Sequence, residues 1–130
     1  MICALILAFG TPAEAGGRPS HWRLQTAHGP VHVWTPAQYD PETAGVVVYI
    51  HGYFDDVDTA WRSHRLAQQF RESGLNAMFI ACDAPSDKYE PVAWPSLHAL
   101  LAAVDSGTVE QEQRSVTIFS RHRESTEGLE

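Results

Sequence analysis

The chain has 130 residues, 44% of them apolar and 19% charged, and its 16 Asp and Glu against 9 Lys and Arg leave a formal net charge of −7. That length holds one domain at most, and the apolar share with four tryptophans suffices for a packed core and excludes a disordered chain. No three basic residues lie together and no run of about 18 apolar residues occurs, which argues against nucleic acid and a membrane span as partners, while two cysteines, Cys3 and Cys82, make neither a disulfide scaffold nor a cysteine zinc site.

Ile2 to Phe9 is an apolar run and Ala13-Glu14-Ala15 has the form of an A-x-A cleavage site, so residues 1–15 resemble a secretory signal peptide, although no Lys or Arg precedes the run. Cleavage there would export the chain and remove Cys3, leaving Cys82 as a small buried hydrophobe; uncleaved, the segment is a first strand or a disordered start and the chain stays cytoplasmic. His21 to His28 alternates, with Trp22, Leu24 and Thr26 on one face. Val31 to Thr35 alternates as well, and Gly29-Pro30 between them supplies turn chemistry, which predicts an antiparallel hairpin. Val46-Val47-Val48-Tyr49-Ile50 is continuously apolar, the pattern of a strand covered on both faces. His51-Gly52 ends it. Asp58 is placed to cap a helix from Thr59 to Ser73 with Ala60, Ser63, Leu66, Ala67 and Phe70 on one face, and Gly74 is placed to stop it. Ala77-Met78-Phe79-Ile80 forms a second buried strand. Pro95 opens another helix, with Leu97, Leu100, Leu101 and Val104 at i, i+3, i+4 and i+7, and Gly107 closes it. Val116 to Phe119 reads as a last short strand, and residues 120–130, whose one strongly apolar member is Leu129, as a mobile polar tail.

The order β-β-β-α-β-α-β over residues 16–119 predicts an α/β fold: an antiparallel hairpin at one edge, then parallel strands joined by right-handed crossover helices. Ligands of such sheets gather at the carboxyl ends of the strands. The segment Val46 to Phe54 places a glycine there, where a sharp turn can free backbone N–H groups to hold negative charge developing on a substrate oxygen.

This strand, its His51-Gly52 end and the aromatic Tyr53 resemble the oxyanion-hole strand of the α/β-hydrolase family of serine esterases and lipases, and the element order from His21 to Phe119 resembles the first half of that fold. The resemblance implies that the Tyr53 N–H supplies half of an oxyanion hole, with His51 and Gly52 shaping the turn and His51 not acting as a base. It implies a small-molecule ester or carboxylate partner and calls for no cofactor or metal. The family's nucleophile sits in a G-x-S-x-G elbow after the fifth strand. In this sequence no serine, cysteine or aspartate has a glycine two positions before it, and Ser120-Arg121-His122 follows the predicted fifth strand instead. The expectation is therefore the N-terminal portion of an esterase-like hydrolase, inactive alone. A non-catalytic binding module for a carboxylate or ester is the alternative, and a remnant that self-associates through an open Val116–Phe119 edge is a third reading.

Other groupings carry weaker chemistry. Ser120 or Ser125 with His122 offers a nucleophile and base that a mobile tail would not align. His21, His28 and His32 offer three imidazoles for a metal, against the simpler reading of exposed hairpin histidines. Asp55, Asp56 and Asp58 lack the spacing of a calcium loop and fit helix capping better. Trp61 and Trp94 suit either a pocket wall or core packing.

Overall fold

The computed structural model describes residues 17–126, with side chains through residue 113. The signal-like segment with Cys3 and the last four residues lie outside the described range. Strands β1 (Ser20–Thr26), β2 (Gly29–Thr35) and β3 (Gly45–Ile50) are followed by helices α1 (Val57–Ser63) and α2 (Leu66–Ser73), strand β4 (Ala77–Cys82) and helix α3 (Leu97–Thr126). The four strands form one mixed sheet in the order β1-β2-β4-β3: β2 runs antiparallel to both neighbours, and β3 pairs parallel with β4.

Strand periodicity divides the core into two layers. One face sends Leu24, Val31, Val33, Ile80 and Cys82 against Leu100 and Val104 of α3. The other sends Trp34, Ala77, Phe79 and Ala81 against Val57, Leu66 and Phe70 of α1 and α2. β2 and β4 are therefore buried on both sides, which is why β4 is apolar at successive positions, while β2 buries the polar His32 between two valines.

Several expectations are corrected. The hairpin turns at Ala27-His28, not at Gly29-Pro30. Gly29, at φ 103°, already pairs with Thr26, and the Thr26 hydroxyl donates to the Gly29 carbonyl at 2.7 Å while accepting the His28 N–H. β3 is not covered on both faces. β4 inserts between it and β2, leaving β3 at the sheet edge with Val46 53% and Ile50 64% exposed. The single helix expected after β3 is two. It starts at the cap Asp56, whose carboxylate accepts the Thr59 N–H at 2.9 Å, because Asp58 is drawn to partners on the hairpin; it breaks at Arg65, which adopts φ 51°. Gly74 ends α2 at φ 65°, the left-handed conformation expected there.

The largest correction concerns residues 107–126. Gly107 does not stop a helix. It lies inside α3, where a Cβ would fall 2.8 Å from Leu24 Cδ1, so the glycine lets the helix approach β1 closely. With no stop at Gly107, the run Glu110-Gln111-Glu112-Gln113 of good helix formers carries α3 onward. Val116–Phe119 is thus helical and provides no fifth strand and no sheet edge, and residues 120–126, expected as a mobile tail, belong to the same helix. No helix among the described residues is long and apolar enough to cross a membrane.

Candidate functional site

β3 and β4 end level with each other, Ile50 opposite Cys82, so the loops after both strands leave the sheet side by side. His51 joins them. Its ring is fully buried, Nδ1–H donates to the Gly52 carbonyl at 2.9 Å, and Nε2 accepts the Ala84 N–H at 3.0 Å, with Asp83 Oδ1 3.3 Å from the same nitrogen. Both ring nitrogens are engaged, so the imidazole serves as a loop stitch. Gly52 is not in the left-handed region, and a Cβ there would meet open space, so the turn does not demand glycine as expected. The residue that bends the loop is Phe54, at φ 64°, whose N–H donates to the Ser86 carbonyl at 2.8 Å and whose ring is 94% exposed. Between them the Tyr53 side chain is 64% exposed, and its N–H meets no acceptor among the described residues.

Two recesses flank this loop. On the α3 side an apolar cleft of about 310 Å³ is walled by Val48, Ile50, Cys82, Trp94, Leu97 and Leu100. Burial pushes the Cys82 thiol up, so it stays protonated, and the Trp94 Nε1–H is buried without an acceptor among the described residues. On the α1 side a polar recess is lined by Phe54, Asp55, Asp56, Thr59, Ser86 and Asp87. Three carboxylates make this recess acidic. No protein-family model, curated protein or solved structure matches the chain. The site therefore has to be read from its own chemistry.

A second cluster went unrecognised in the sequence. His32 is 4% exposed, and its Nε2 lies 2.8 Å from Asp58 Oδ1; Arg23 grips the same carboxylate through Nε at 2.7 Å and Nη2 at 2.6 Å. His21 Nε2 lies 2.9 Å from His32 Nδ1, and both imidazoles lie flat on the Trp61 indole with centroids 4.5 Å away. The Arg23 guanidinium holds the Asp58 carboxyl far below the usual carboxylate range. Burial lowers both histidines, outweighing the Asp58 charge at His32.

His28 takes no part, lying tilted against Trp94 at 4.8 Å, and no group of three or more metal-ligating side chains occurs among the described residues. The three histidines therefore neither converge on a metal nor all stand exposed. The signal that finds the cluster is register: Arg23 pairs across from His32, with His21 diagonal to it on the same face. Ser120, His122 and Ser125 fall on the helical α3 segment and not in a turn after a strand.

Proposed function

We propose that the chain is the oxyanion-hole side of an α/β-hydrolase-type, esterase-like domain, and that its carboxyl-edge loop binds a neutral ester carbonyl on the Tyr53 N–H without cleaving it. The observation that carries this reading is the Tyr53 N–H, which meets no acceptor among the described residues and stands at the end of a parallel strand pair. The antiparallel hairpin followed by a parallel pair with a crossover agrees with the start of that fold. Phe54 supports the reading as well: a large residue held at φ 64° and 94% exposed costs stability and gains little beyond a tilted contact with the Tyr53 ring, the signature of a loop kept for another purpose. The acidic recess disfavours an anionic ligand, so the ester is the better partner and a carboxylate the poorer one.

Binding is read by ligand-observed NMR with short-chain esters and the matching carboxylates. Tyr53→Pro removes the N–H and should abolish the ester signal, whereas Tyr53→Ala keeps the N–H and should retain it. Equal binding by both variants sinks the reading. p-Nitrophenyl esters should show no turnover above buffer. Turnover that survives Ser120→Ala and Ser125→Ala but vanishes in His122→Ala would overturn the non-catalytic assignment. The second reading is a binding module outside the hydrolase family. Helical residues where a fifth strand was expected favour it, since a nucleophile elbow then has no strand to follow.

A further inference from the structure

The cluster between the hairpin and α1 takes no part in the proposed ester site, and its proton inventory follows from its geometry. A carboxylate only accepts, so His32 carries its proton on Nε2 to make the 2.8 Å contact with Asp58. A neutral His32 then has a bare Nδ1, and the 2.9 Å contact requires His21 to donate from its own Nε2. His21 Nδ1 is left bare, on a ring that Trp61 covers on one face and that is otherwise open to solvent. A first proton lands there and breaks nothing. The His21 Nε2–H still donates, and the new imidazolium rests on the Trp61 indole at 4.5 Å, a surface that favours a cation. A second proton finds only His32 Nδ1, which faces the His21 N–H at 2.9 Å. Two N–H groups then oppose each other and the contact has to open.

We propose that Arg23, Asp58, His32 and His21 form an acid-operated clasp between the hairpin and α1, which holds through its first proton and opens on its second. The charged and titratable groups facing it are His21 and Arg23 from β1, His32 from β2, and Asp58 and Arg62 from α1, with the cap Asp56 acting on Asp58. β4 contributes only the uncharged Ala81 opposite His32. Asp58 favours charge on His32, while burial and the two arginines oppose it; His21 is opposed by burial and by His32. Trp61 links the two sides, since it sits on α1 and carries both imidazoles.

Histidine ¹⁵N shifts of the full chain, followed from about pH 8 to about pH 4, read both tautomers and both proton uptakes, and NOEs between the Trp61 indole and the His32 ring read the opening. The expected result is an Nε2–H tautomer on both rings at neutral pH. The two uptakes should lie at least about one pH unit apart, with those NOEs kept through the first and lost with the second. His21→Ala removes the opposing N–H, so His32 then takes its proton without a clash and the Trp61–His32 NOEs persist into acid. Three results overturn the clasp: a single step shared by both histidines, an Nδ1–H tautomer on His32, or Trp61–His32 NOEs lost at the same pH in His21→Ala. The wild-type titration decides tautomers and step order even if His21→Ala fails to fold.

Discussion

A Cβ at Gly107 falls 2.8 Å from Leu24 Cδ1 in the α3 layer of the core, whereas one at Gly52 meets nothing within 4 Å. Gly107→Ala gains helix propensity but overpacks a buried leucine that has little room to move. We expect a loss of about 1–2 kcal/mol on chemical denaturation, against a change within about 0.5 kcal/mol for Gly52→Ala. His51→Ala removes an acceptor from the Ala84 N–H and a donor from the Gly52 carbonyl and opens a void where a fully buried ring stood. Its expected cost is about 2–4 kcal/mol, and a loss under about 1 kcal/mol would mean that the stitch between the two loops is dispensable. The hairpin histidines add a pH dependence. Both are held below the ordinary imidazole range, first by burial, so the unfolded chain takes up protons that the folded chain refuses. Their contribution is complete above about pH 6.5 and is lost as the pH falls below it, at up to about 1.4 kcal/mol per pH unit for each proton. Asp58 acts in the same direction further down: its depressed carboxyl stabilises the fold above about pH 4 and ceases to do so as acid protonates it. Denaturation midpoints measured between these limits should fall with acid in the wild type and flatten in His32→Gln.

α1 and α2 were legible as one helix because their apolar residues keep a single 3.6-residue stripe across the junction, and that stripe does face the core, with Ala60, Leu66 and Phe70 buried. The break at Arg65 left no mark in the sequence, since no glycine or proline stands there. Arginine at φ 51° carries steric strain. Arg65→Gly should therefore raise stability by about 0.5–1 kcal/mol, and a decrease in the unfolding midpoint would show that the Arg65 side chain contributes more than its backbone costs. Strands were legible for a related reason. Alternation fixes which residues share a face, and a turn at Gly29-Pro30 or at Ala27-His28 gives the same faces. It does not fix partners. A turn at Gly29-Pro30 pairs His32 with Ala27, whereas the observed register pairs it with Arg23, so the buried cluster became visible only with the register. Gly107 misled in the opposite way: a glycine chosen for close packing looks in sequence like one chosen for a left-handed stop.

The sheet has two free edges of unlike character. β1 carries Arg23, committed to Asp58, and its Arg23 carbonyl accepts the Gln111 Nε2–H at 3.3 Å from α3. β3 has no charge and no proline from Gly45 to Ile50, and both of its faces are partly bare, Val46 on the α3 side and Val47 on the α1 and α2 side. Natural edges are usually blunted by lysine, proline or bulges, because unpaired N–H and C=O groups accept any passing strand. The sequence pattern of β3 is that of an interior strand, and the fold puts it outside. Val116–Phe119 is helical and offers no edge for the self-association expected there, so we predict β3 as the edge through which copies pair. The net charge of −7 opposes contact between copies, so pairing should weaken at low salt and strengthen as salt screens it. Sedimentation velocity over a concentration series should show association that Val47→Lys shifts to about tenfold higher concentration, because burying a lysine without a partner costs more than about 1.4 kcal/mol. Gln25→Lys on β1 adds the same charge at the guarded edge and should leave the series unchanged. A wild-type chain that stays monomeric throughout, or equal shifts in the two variants, would place the contact elsewhere than on β3.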